Sequence, residues 1–173
     1  LGGGMCFTFL KSQGYEIGAS LCEDEFLNTA SKLLQSSDGK KIILPVDFGV
    51  SNDILSSSRV DKPLELIEST DIGVDIGSKS VALFNEIIHT SNTIFWNGPM
   101  GVFENKSFEY GTREITKSVS QSNAYTVVGG GDSVSAINKY SEIQNFNHIS
   151  TGGGASMELM EGKKLPGVNT VSY

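Results

Sequence analysis

Short apolar runs alternate with helically spaced apolar positions along most of the chain. After a glycine turn, Met5, Phe7, Phe9 and Leu10 predict a short helix within 2–11, followed by a connector over 15–21. An amphipathic helix is expected over 23–35, with Phe26, Leu27, Ala30, Leu33 and Leu34 on one side. Ser20 or Cys22 begins it, and Glu23, Asp24 and Glu25 suit its positive end. Ile42, Ile43 and Leu44 predict a strand over 40–46, stopped at Pro45 or soon after. Residues 47–70 are polar and Ser-rich and read as a long excursion with an edge strand or hairpin. A strand and turn follow over 72–77, then a helix to about Thr90, capped by Ser78, with Val81, Phe84, Ile87 and Ile88 facing inward. Next come a strand over 93–97, a loop over 98–103 and a helix over 107–120 with Phe108, Ile115 and Val119 inside. The run 124–129 is a buried strand entering glycines, and Val134, Ile137 and Tyr140 mark the helix after it. A short strand over 148–150, more glycines and a helix over 155–161 complete the series.

Apolar strands with helical returns imply an α/β fold: a Rossmann-like parallel sheet with helices on both faces, in three α/β/α layers. The chain is expected to be a single domain over 1–173, truncated at its amino-terminal side, because Leu1 reads as the last residue of a strand. A sheet cut there exposes an unpaired edge, so the chain alone is expected to be marginal in stability or to associate.

Glycine changes this picture most. The chain holds 20 Gly in 173 residues, and chance then gives only about 0.3 Gly-Gly-Gly triplets. Three occur: 2–4, 129–131 and 152–154. Each is expected between a strand end and a helix start, where free backbone N–H groups and the helix dipole favour an anion. Without Cβ atoms, a phosphate can approach the backbone. Asp132 stands where a carboxylate can hold a divalent cation beside that phosphate. One such segment alone reads first as a capped helix, with Asp132 or Ser133 as the cap; the recurrence favours an anion site at the carboxyl ends of the strands.

Charge and cysteine content narrow the function classes. The net charge of −7 comes with no Lys/Arg cluster, which argues against a nucleic-acid or membrane surface. Cys6 and Cys22 fit neither a disulfide scaffold nor a zinc spacing and read as small reduced core residues. With no apolar run of membrane length and no signal peptide, a cytoplasmic protein is expected. The dinucleotide fingerprint fails at every triplet, because its last glycine is replaced by Phe7, Val134 or Met157. The P-loop is absent, as are the protein-kinase motifs and any nucleophile elbow. His89 reads as a solvated charge at a helix end, and His148 as a residue that packs near the sheet end.

Five motifs together resemble the phosphoglycerate kinase family: GGGMCFTFL from Gly2, LPVDF from Leu44, WNGPMGVFE from Trp96, VGGGDS from Val128 and STGGGASMELMEG from Ser150. They come in the family's order across nearly the whole chain. The resemblance implies reversible phosphoryl transfer between 1,3-bisphosphoglycerate and ADP, giving 3-phosphoglycerate and Mg-ATP in glycolysis. It implies that this chain is the carboxyl-terminal, nucleotide-binding lobe of an enzyme that is monomeric at full length. The lobe that holds 3-phosphoglycerate, and a lysine-bearing segment reaching the nucleotide phosphates, would lie upstream of Leu1. The isolated chain is then expected to bind nucleotide weakly and to turn over little or not at all.

By the same resemblance, Gly2, Gly3, Gly4, Leu21, Gly73 and Val74 would line the adenine slot, with Ile54 beside them. Glu104 would bind ribose hydroxyls, and Asn97, Pro99, Gly101 and Val102 would shape the floor under the ribose and phosphates. Gly130, Gly131, Asp132 and Ser133 would take the phosphates and Mg²⁺, with Asp132 closest to the metal. Gly152, Gly153 and Gly154 would offer N–H groups to the phosphoryl group in flight. Ser133 stands where the family usually has Thr, Cys6 where it has Ala, and Met100 where it has Val or Leu. Two other readings stay open: a non-catalytic adenine-nucleotide module, and an NAD-dependent oxidoreductase domain that the failed fingerprint disfavours.

Overall fold

The computed structural model describes residues 1–165, which form two compact units. The first comprises Leu1–Ile87 and Pro99–Ile115; the second comprises Ile88–Gly98 and the chain from Thr116 on.

In the first unit, α1 (Met5–Ser12) contacts α2 (Leu27–Gln35), and a three-stranded sheet has the order β2 (Val60–Pro63), β1 (Asp47–Ser51), β3 (Ile72–Ile76). Both pairings are antiparallel. The hairpin expected within 47–70 is therefore β1–β2, while the strand at 72–76 departs from the parallel sheet expected of it. The core gathers Cys6, Phe7, Leu10, Ile17, Phe48, Val50, Leu64 and Ile67. Phe7 and Phe48 stack with ring centroids 4.9 Å apart.

Several expected boundaries move, each for a local reason. The strand over 40–46 is absent: a 3₁₀ turn (Gly39–Lys41) leads into an unpaired extended segment, and the ladder starts at Asp47. Apolar content alone makes no strand, because the peptides need a partner ladder. The helix over 23–35 starts as a 3₁₀ turn (Asp24–Phe26) and becomes α-helical at Leu27. Of its apolar side only Ala30 is buried, while Phe26 and Leu33 are about half exposed. Ser20 does not begin it; its hydroxyl accepts the Gly73 N–H at 2.8 Å. Ser78 is the first residue of α3 (Ser78–Thr90) and not its cap. The cap comes from β1, where the Asp47 carboxylate accepts from Lys79 N at 3.0 Å and Ser80 N at 2.7 Å. On α3, Val81 is buried and Ile87 is exposed.

The second unit carries the parallel sheet. Its order is β4 (Thr93–Asn97), β5 (Tyr125–Gly129), β6 (His148–Ser150), and helices α5 (Gly131–Tyr140) and α6 (Gly153–Met160) each contact β5. The parallel part of the α/β expectation therefore lies here. Trp96, Val119, Ala124, Val128, Ala136, Ile137 and Phe146 are its buried apolar residues among those described. The helix expected over 107–120 is a 3₁₀ turn (Lys106–Phe108), capped by Asn105, followed by α4 (Tyr110–Ser120). Its predicted inward residues Phe108, Ile115 and Val119 are all buried. Among the described residues no helix is long and apolar enough to cross a membrane. Both cysteines are free: Cys6 is buried and Cys22 half-buried.

Candidate functional site

In the first unit, the Gly2–Gly4 turn lies against the loop that starts at Pro99. Gly3 sits at φ +64°, donates its N–H to Met100 O at 3.2 Å, and would drive a Cβ to 2.8 Å from Pro99 O. A Cβ on Gly4 would reach 2.7 Å from Leu21 Cδ2. Leu21 itself is 70% exposed, so its apolar side chain roofs the glycine turn without belonging to the core. Cys6 donates Sγ–H to Gly3 O at 3.0 Å, and burial pushes this thiol up to about 12, so it stays protonated.

Gly73 and Val74 lie on β3 beside this turn. A Cβ at Gly73 would meet Phe7 Cζ at 2.0 Å, so this glycine is fixed by packing. Val74 is buried and presents its carbonyl, which accepts from Val102 N at 2.8 Å. Gly101 covers the same carbonyl, with no room for a Cβ. Glu104 is exposed at the turn that follows, and Ile54 is exposed, with its carbonyl accepting from Asn105 Nδ2 at 3.2 Å. Of the residues expected around adenine and ribose, the structure joins Gly3 to Pro99, Gly4 to Leu21, and Val74 to Gly101 and Val102.

In the second unit, the parallel ladder aligns the ends of three strands. Asn97 pairs with Gly129 and Gly129 with Ser150. Gly130, at φ +91°, immediately precedes α5, and its N–H goes to Ser150 O at 3.0 Å. Asn97 Oδ1 lies at the centre: Cβ atoms on Gly130 and Gly153 would come within 2.9 Å and 3.0 Å of it. Gly130 and Gly153 also touch, since a Cβ on Gly153 would meet Gly130 Cα at 2.8 Å. Gly131 and Gly154, by contrast, face open space within 4 Å.

Both helices that start here lack a side-chain cap. The first in-helix bonds run from Val134 N to Gly130 O and from Ser156 N to Gly152 O. The N–H groups of Gly131, Asp132 and Ser133, and of Gly153, Gly154 and Ala155, therefore have no partner in their own helices. This is the electrostatic setting for an anion. The expectation that Asp132 or Ser133 caps α5 fails. Asp132 lies exposed in the first turn, where a carboxylate suits the helix dipole.

Ser133 stands apart from its neighbours. It is fully buried, and its Oγ accepts the Gly98 N–H at 2.7 Å. Trp96 Nε1 donates to Gly98 O at 2.8 Å. Sequence reasoning missed this clamp; the signal for it was a buried-strand Trp, which needs a polar partner, two residues before a glycine. Among the described residues, no group of three His, Cys, Asp or Glu side chains surrounds a metal position. Asp132 alone offers a carboxylate, and Mg²⁺ is typically held by one or two carboxylates with the remaining ligands from phosphate and water.

The sequence model of the family described as phosphoglycerate kinase matches residues 1–163. The chain belongs to the phosphoglycerate kinase family. It is 49% identical over 170 residues to the phosphoglycerate kinase of Salinispora tropica, covering 97% of this chain and 42% of that protein. It is 49% identical over 175 residues to the phosphoglycerate kinase of Finegoldia magna, covering 99% of this chain and 44% of that one. The structure of phosphoglycerate kinase from Coxiella burnetii aligns with a TM-score of 0.90 at 40% identity, over 97% of this chain and 44% of that chain. That from Pyrococcus horikoshii OT3 aligns at 0.83 and 31%, over 97% and 43%. The chain thus spans under half the length of the relatives it matches.

Proposed function

We propose that this chain is the nucleotide-binding lobe of a phosphoglycerate kinase, acting in glycolysis as part of a protein that moves a phosphoryl group between 1,3-bisphosphoglycerate and ADP. The observation that carries the reading is the pair of uncapped helix starts around Asn97, with open space at Gly131 and Gly154. In this reading the phosphates sit on the N–H groups of α5 and α6, with Asp132 holding Mg²⁺. Gly152–Gly154 face the transferred group. The adenine role proposed for Gly3, Gly4, Leu21, Gly73 and Val74 rests on the family resemblance. Pro99, Gly101 and Val102 take the ribose side, with Glu104 on the ribose hydroxyls.

Phosphoryl transfer needs positioning and charge neutralisation more than covalent chemistry from the protein. The residues proposed here have that character: backbone dipoles, the carboxylates of Asp132 and Glu104 and, among them, no nucleophile–base pair. Ser133 acts here through Gly98, and its side chain holds the loop that follows Asn97. The chain spans under half the length of its relatives, so the chain alone is expected to bind nucleotide without turnover. Equilibrium dialysis with labelled ADP, Mg²⁺ and an NAD competitor tests this. Mg-dependent retention of ADP that NAD does not displace supports the reading. Preferential NAD binding contradicts it.

A further inference from the structure

Asp75 is an acid in the middle of an apolar strand, and the described structure uses it as a pin. Its side chain has no solvent exposure. Oδ2 accepts the Gly111 N–H at 2.7 Å and an Arg59 Nη1 bond at 2.6 Å. Gly101 lies directly over the same residue: a Cβ there would come 2.6 Å from Asp75 Cα and 2.9 Å from Oδ1. Asp75 therefore touches both ends of the segment from Gly101 to Gly111, which carries Val102 and Glu104. The rest of that segment is tied down separately. Val102 N donates to Val74 O, and Asn105 Nδ2 donates to Ser56 O at 2.8 Å.

Arg59 supports the pin from the other side. It donates Nη2 to Ile76 O at 3.1 Å and Nε to Asp61 Oδ1 at 2.8 Å, and lies over the Tyr110 ring with its guanidinium carbon 5.6 Å from the centroid. β1 makes room for it, since a Cβ on Gly49 would meet the guanidinium at 2.5 Å. A buried carboxylate needs such a partner, and a planar fork serves it better than an ammonium.

We propose that Arg59 and Asp75 are positioning residues that close the loop from Gly101 to Gly111 at its base and thereby fix Glu104 for the ribose hydroxyls. This rests on the nucleotide reading above. The test compares ADP with 2′,3′-dideoxy-ADP, which lacks the groups that Glu104 would bind, at fixed Mg²⁺ on the full chain and on Arg59→Gln and Arg59→Lys. The unaltered chain is expected to favour ADP by about tenfold, the worth of a hydrogen bond to a charged group. Arg59→Gln is expected to bring that ratio close to one with little change for the dideoxy nucleotide, and Arg59→Lys to restore part of it. Equal losses for both nucleotides mean general structural support and overturn the proposal. A second readout needs no nucleotide: hydrogen exchange at the Gly111 amide is expected to speed up about tenfold in Arg59→Gln. Unchanged exchange overturns the loop closure. If the unaltered chain binds no ADP, the nucleotide reading and the ribose part of the proposal fail, and the amide readout alone decides the closure.

Discussion

Ser133 Oγ, fully buried at the start of α5, accepts the Gly98 N–H from the end of β4 at 2.7 Å. A hydroxyl in the proposed phosphate site is thereby engaged with the neighbouring loop. Ser133→Ala leaves the Gly98 N–H without its acceptor, which is expected to cost about 1–3 kcal/mol. Ser133→Thr keeps the acceptor and is expected to cost less. Urea melts measure both. Trp96, bonded to the carbonyl of the same Gly98, is the chain's one tryptophan, and its emission is expected to shift in the alanine variant alone.

The glycines divide by what stands beside them. Gly73→Ala places a methyl 2.0 Å from Phe7 Cζ in the core of the first unit, and overpacking of this kind is expected to cost about 1–3 kcal/mol. Gly154→Ala meets nothing within 4 Å; as a surface change in α6 it is expected to alter stability by less than about 0.5 kcal/mol. If phosphate approaches there, the same variant weakens nucleotide binding. Thermal melts beside binding curves separate the two effects, and a Gly154→Ala chain with unchanged nucleotide affinity contradicts the assignment of α6.

Asp75 gives a pH dependence with a definite sign. Burial pushes its carboxyl up to about 6 from an ordinary 3.8, although Gly111 N–H and Arg59 both pull it down. Between these values the folded chain holds a proton that the unfolded chain has released. Stability contributed by this group is therefore gained as pH falls from about 6 toward 4 and is lost as pH rises through 6, by up to about 3 kcal/mol. Urea melts of the protein and of Asp75→Asn at pH 4.5 and 6.5 check it. The protein should gain relative to the variant at the lower pH, and a flat difference contradicts the shift.

Much of the fold was legible because some segments satisfy local rules and global packing together. Phe108, Ile115 and Val119 recur at helical spacing and are all buried, and the run ending at Gly129 is a parallel strand. The failures share one cause: partners distant in sequence. Ile42, Ile43 and Leu44 resemble a strand but pair with none, while β3 pairs antiparallel with β1. Ser78 resembles a cap, but the carboxylate of Asp47, 33 residues before Ser80, takes that role. The glycine triplets were visible as a composition signal. The ties between Gly98, Trp96 and Ser133, and between Asp75 and Gly111, were not, because Ser133 and Gly111 lie far from their partners in sequence, and a buried-strand Trp before a glycine only hinted at the first. An acid within the apolar run of β3 was the hint for the second, since a buried carboxylate requires a partner.

The most direct test of the central claim is calorimetric titration of the 173-residue chain with Mg-ADP, beside Asp132→Ala, with and without Mg²⁺. Weak binding that strengthens with Mg²⁺, and loses that dependence in Asp132→Ala, is the predicted result. A folded chain that binds no ADP, or binds it with the same Mg²⁺ dependence after the substitution, contradicts it.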